Sequence, residues 1–129
     1  MRTLSVIGLP VAATDYREAV AWILDKAALG DRAYAVEAAN THVAALARSD
    51  AAFGEAMARF DLICPDGMPL VWAVNAQLAE GEKLRDRVYG PSLMLETIRA
   101  TQDKPAFRHF LLGGKPATLE RLGERFGES

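Results

Sequence analysis

Short apolar runs alternate along this chain with longer stretches of helical period, and no other feature of the sequence limits the fold as much. "TLSVIGLP" reads as a short strand ending at Gly8-Leu9-Pro10. From Asp15 onward, Tyr16, Val20, Ile23, Leu24 and Ala27 fall on one face of a helix. Asp15 with Glu18 makes a capping-box-like start to that helix, and Gly30 a stop. Ala33 to Ala39 ("AYAVEAA") predicts a second strand, "FDLIC" a third, and Phe107 to Gly114 ("FRHFLLGG") a fourth. Between them come a short helix after Asn40, one capped by Ser49 or Asp50, one from Pro69, one from Gly90-Pro91 to Arg99, and a last in "PATLERLGERF". Proline suits the first turn of a helix, where its missing N–H would be unpaired anyway. This alternation predicts a single α/β domain over residues 1–129, Rossmann-like, with a largely parallel sheet flanked by helices and right-handed crossovers.

In open parallel sheets, ligands bind outside the carboxyl ends of the strands, where loops and helix N-termini converge. Four junctions therefore matter: Gly8-Leu9-Pro10, Ala39-Asn40-Thr41-His42, Pro65-Asp66-Gly67-Met68 and Gly113-Gly114-Lys115-Pro116. The last joins two flexible glycines, a lysine and a helix N-terminus, all favourable to phosphate; a Gly-Gly turn with a solvated lysine has the same spelling. Neither a Walker loop nor a G-x-G-x-x-G fingerprint is present. Asp66 before Gly67 is ordinary turn or cap chemistry, and it is also a carboxylate at a strand's end.

Composition removes several function classes. Half of the 129 residues are apolar, enough to bury a real core. Fifteen basic and seventeen acidic residues, with no long run of either sign, leave no electrostatic footprint for nucleic acid. A lone cysteine, Cys64, excludes an intramolecular disulfide framework and fits a reducing compartment, so a cytoplasmic location is expected. Nowhere do the roughly 18 uninterrupted apolar residues of a spanning helix occur.

The blocks "VIGLPVAATDYREAVAWI", "ANTHVAALARSDAAFGEAMARFDLICPDGMPLVW", "RVYGPSLMLETI" and "FLLGGKPATLERL" follow one another in an order and spacing that resembles the WecG/TagA/CpsF family of bacterial glycosyltransferases, glycosyltransferase family 26. The resemblance covers nearly the whole chain. It implies an inverting enzyme that moves a sugar from a UDP-sugar donor to a polyprenyl-diphosphate-linked sugar acceptor at the inner membrane face. The implied products are exopolysaccharide, capsule or teichoic acid. On this likeness Asp66 is the candidate general base. Asn40 and His42 are candidates for sugar contacts, and Gly67, Gly90, Gly113 and Gly114 line the site. Arg87 and Lys115 are candidates for the diphosphate, although Arg87 also reads as a solvated charge. No two aspartates stand in the D-x-D spacing by which many sugar transferases hold a divalent cation, so metal-independent transfer is expected and no metal ligand is assigned. His109 reads as structural.

Two positions depart from the family pattern. Ala38 stands where many relatives carry threonine two residues before the asparagine, and Ser92 where many carry aspartate after the glycine of the R-V-x-G block. Relatives also continue beyond the G-G-K-P block, so the resemblance implies an amino-terminal portion of such an enzyme. The competing reading is a noncatalytic remnant of the fold that binds a nucleotide or a partner chain. An unpaired sheet edge at the carboxyl end predicts a homo-oligomer.

Overall fold

A computed structural model of the chain describes residues 1–127. The amino-terminal segment is not one strand but a hairpin: β1 (Arg2–Val6) pairs antiparallel with β2 (Leu9–Ala13), with Val6 opposite Leu9. The turn is Ile7-Gly8, both at positive φ (46° and 93°), the combination a type I′ two-residue hairpin turn demands. Gly8-Leu9-Pro10 is therefore a turn and the start of a strand, and it does not lead into a helix at the ligand-binding edge of a parallel sheet.

After the hairpin the elements follow the expected order. Helix α1 (Tyr16–Leu29) begins where Asp15 accepts a hydrogen bond from the Glu18 N–H at 2.8 Å, and it ends at Gly30 in the left-handed conformation. Strand β3 (Val36–Ala39) starts three residues later than the apolar run does. Helices α2 (Thr41–Ser49) and α3 (Ala51–Met57) follow, capped by Asn40 and Asp50. Strand β4 (Leu62–Pro65) pairs parallel with β3, Ala39 opposite Pro65, and leads into α4 (Met68–Asn75) with Pro69 in its first turn. A 3-10 turn at Glu80–Glu82 and the loop after it lead to α5 (Gly90–Arg99), and α6 (Pro116–Gly127) closes the described chain.

The architecture is α/β and loosely Rossmann-like: one parallel pair with helices on both faces, and the hairpin packed alongside through β2. Strand β4 is buried at all four positions because both of its faces are covered. Ile63 joins Val11, Ala39, Leu70 and Val74 on the side of α2 and α4, while Leu62 and Cys64 join Ala12, Ala19, Val88 and Leu93 on the side of α1 and α5.

The expected strand over Phe107 to Gly114 does not form. Among the described residues no strand pairs with it, and Phe110 and Leu112 are 87% and 90% exposed. An apolar run is a strand only where a neighbouring backbone takes its hydrogen bonds, and that depends on distant parts of the chain.

Candidate active site

The carboxyl ends of β3 and β4 lie side by side, and the loop before α5 closes over them. Asp66 donates its backbone N–H to the Ala39 carbonyl at 2.9 Å, continuing the parallel ladder one step past both strands. Its carboxylate then turns toward α5, where Oδ2 accepts from the Gly90 N–H at 3.4 Å. That bond is long for an N–H···O contact. Asp66 does not cap α4: the N-cap is Gly67, with no side-chain hydrogen bond. Gly67 sits at φ 153° and ψ 143°, a backbone that side-chain-bearing residues rarely adopt, so glycine is required for the chain to turn there. One carboxylate at a strand end is thus left half-buried and spared from capping α4, the helix that follows it.

Gly90 is as tightly placed as Asp66. A Cβ there would stand 3.3 Å from the Ala38 Cβ and 3.8 Å from Asp66 Oδ2. Ala38, the position that departs from the family pattern, therefore packs directly against this contact.

Asn40 stands next to the pair at the end of β3. Its Oδ1 accepts from the Val43 N–H at 3.0 Å to cap α2, which leaves the side-chain NH2 donors for a ligand. His42 is exposed in the first turn of α2. Arg87, also exposed, lies in the loop just before α5, with its guanidinium 4.7 Å from the centre of the Tyr89 ring. A cleft of about 400 Å3 beside it is lined by Asp15, Tyr16, Lys83, Arg85 and Arg87.

Gly113 and Gly114, at φ 102° and 79°, and the exposed Lys115 lead into α6. Among the described residues no hydrogen bond or ion pair joins them to Asp66 or Asn40. The segment before them does face the site: His109, Phe110 and Leu111 line a cleft of about 360 Å3 with Ala38, Gly90 and Met94. His109 Nε2 is 2.8 Å from Thr101 Oγ1, which accounts for that ring within the fold.

Two residues of this neighbourhood were missed in the sequence. Glu37, half-buried in β3, has its carboxyl pushed up, first by burial and then by the nearby charge of Asp66. A lone glutamate inside "AYAVEAA" was the available signal. Tyr16, assigned only to the buried face of α1, also reaches the loop over the strand ends: its hydroxyl accepts from the Tyr89 N–H at 2.9 Å. Among the described residues no three His, Cys, Asp or Glu side chains gather into a group that could hold a metal ion. No described helix is long and apolar enough to cross a membrane.

A model of the glycosyl transferase WecG/TagA/CpsF family matches residues 4–129. The chain belongs to that family. No curated protein matches it. Family membership makes the chain a glycosyltransferase relative in cell-envelope polymer synthesis, a chemistry with a sugar-nucleotide donor and a sugar acceptor. In this family member, the P-D-G block is the point where β4 ends, Gly67 turns the chain and Asp66 meets the start of α5.

Proposed function

We propose that this chain carries the site for inverting transfer of a sugar from a UDP-sugar to a polyprenyl-diphosphate-linked sugar. One observation carries the reading: Asp66 stands at the carboxyl end of a parallel strand with its carboxylate spared from capping the next helix. In the reaction, a carboxylate oxygen of Asp66 takes the proton of the acceptor hydroxyl as the hydroxyl oxygen attacks the anomeric carbon. The bond from that carbon to the UDP oxygen breaks, and UDP leaves with the electron pair. The Asn40 NH2 group and His42 face the sugars. Arg87, the Gly113-Gly114 backbone and Lys115 offset the charge developing on the leaving diphosphate, so transfer proceeds without a metal ion. The protein works peripherally at the inner membrane face and self-associates, in keeping with the exposed Trp72, Phe110 and Leu112.

The test is transfer of radiolabelled N-acetylhexosamine or hexose from α-linked UDP donors to a short-chain polyprenyl-diphosphate-sugar, with and without EDTA. A β-linked product formed at the same rate in EDTA is expected. Retention of the α configuration, or loss of the product in EDTA, would refute the mechanism.

A further inference from the structure

Three successive backbone N–H groups lead into α5, and each has a different partner. Val88 donates to the Pro65 carbonyl at 2.8 Å, Tyr89 to the Tyr16 hydroxyl at 2.9 Å, and Gly90 to Asp66 Oδ2 at 3.4 Å. The first partner is the last residue of β4 and the third is the candidate base beside it. Only the second comes from elsewhere, 73 residues away in the first turn of α1. The Tyr16 ring packs on the cluster formed by Ala12, Ala19, Leu62, Cys64, Val88 and Leu93, so its hydroxyl has a fixed position. The N-cap residue of α5, Tyr89, makes no side-chain cap hydrogen bond of its own, so the side chains that accept from this turn are the Tyr16 hydroxyl and the Asp66 carboxylate.

The geometry points to Tyr16 as a positioning residue for Asp66. By taking the Tyr89 N–H, the phenol oxygen sets the peptide plane between Tyr89 and the preceding Val88. It thereby fixes the direction from which the next N–H, that of Gly90, meets the carboxylate. An N–H held on one carboxylate oxygen fixes the rotation of the group, leaving the other oxygen to receive a proton. In Tyr16→Phe the ring still fills its place in the core, but the Tyr89 N–H loses its acceptor and the turn keeps only the bonds of Val88 and Gly90. This rests on the reading of Asp66 as the general base.

The test compares amide spectra of the full chain, Tyr16→Phe, Asp66→Asn and the double variant. In the otherwise unaltered chain, Asp66→Asn displaces the Gly90 amide proton. In the Tyr16→Phe background that displacement falls by at least about half, and the Tyr89 amide exchanges with solvent about tenfold faster or more. In the transfer assay, Tyr16→Phe lowers kcat about 10- to 100-fold with the donor KM unchanged. The same Gly90 displacement in both backgrounds, or an unchanged kcat, would overturn the inference. So would an unprotected Tyr89 amide in the unaltered chain, a result that needs no variant to fold. Full transfer by Asp66→Asn would instead remove the base and leave the measured coupling standing.

Discussion

Gly54→Ala replaces a glycine in the middle of a helix, where alanine is normally the better residue by about 1 kcal/mol. On propensity alone α3 should gain. In the fold, however, a Cβ on Gly54 would lie 2.6 Å from the backbone oxygen of Ala47 in α2, and 3.6 Å from its carbonyl carbon. The obstructing atom is backbone, so no side chain can swing aside, and the two helices must separate by several tenths of an ångström. Overpacking of this kind costs about 1–3 kcal/mol, and a carbonyl fixed in a helix belongs in the upper half of that range. Setting about 2–3 against the gain of about 1 leaves a net destabilisation of about 1–2 kcal/mol, or a melting temperature lower by about 3–10 °C. Thermal and urea unfolding followed by circular dichroism measure it. The control is Gly123→Ala in α6, where a Cβ would meet nothing within 4 Å and propensity acts alone. If Gly54→Ala stabilises the protein as much as the control does, the close approach of α2 and α3 is wrong. So then is the placement of Asn40, which caps α2.

Two pH-dependent effects follow from the charges around β3. Asp61 is held below the usual carboxylate range, first by the hydrogen bond from Arg32 and then by the Ala35 N–H. A carboxyl depressed in the folded state contributes stability above its unfolded value and loses it as pH falls through the folded one. Asp61→Asn should therefore lower the urea midpoint at pH 7, with the difference from the unaltered protein closing below about pH 4. Glu37 is shifted upward, so its ionised form is a cost at neutral pH that disappears on protonation. Glu37→Gln should raise the midpoint at pH 7, with an advantage that fades as the solution is acidified; a variant less stable at pH 7 would contradict this.

What could be read from the sequence is what local chemistry decides. The Asp15 and Asp50 caps, the Gly30 stop and the proline in the first turn of α4 are satisfied within a few residues of themselves, so spacing alone exposes them; the Asn40 cap is as local, but the sequence marks it only as the start of a helix. The Asp66-Gly67 turn belongs to the same class, because the backbone at Gly67 excludes other residues. The hairpin was hidden because Ile7-Gly8 lacks the Asn-Gly or Asp-Gly spelling of such turns, and isoleucine at φ 46° is not a conformation its sequence advertises. The unformed strand at Phe107–Gly114, the approach of Gly54 to Ala47 and the reach of Tyr16 to Tyr89 all depend on residues far away in the chain. Periodicity carries no information about such pairs. The candidate site divides along the same line: Asn40, Asp66 and Gly90 come together at the strand ends, while among the described residues no hydrogen bond or ion pair brings Gly113, Gly114 or Lys115 to them.

The central claim, that Asp66 is the base of a sugar transfer, meets its most direct test in Asp66→Asn. Asparagine keeps the size of the side chain and an oxygen for the Gly90 N–H, and no helix cap is lost. Stability should therefore change by no more than about 1 kcal/mol. The amide cannot accept the acceptor's proton, so the rate of transfer from UDP-sugar to polyprenyl-diphosphate-sugar should fall by about 10² to 10⁴ with donor affinity retained. Transfer at the unaltered rate, or a loss that only tracks a loss of folding, would contradict the account and leave Asp66 a turn residue.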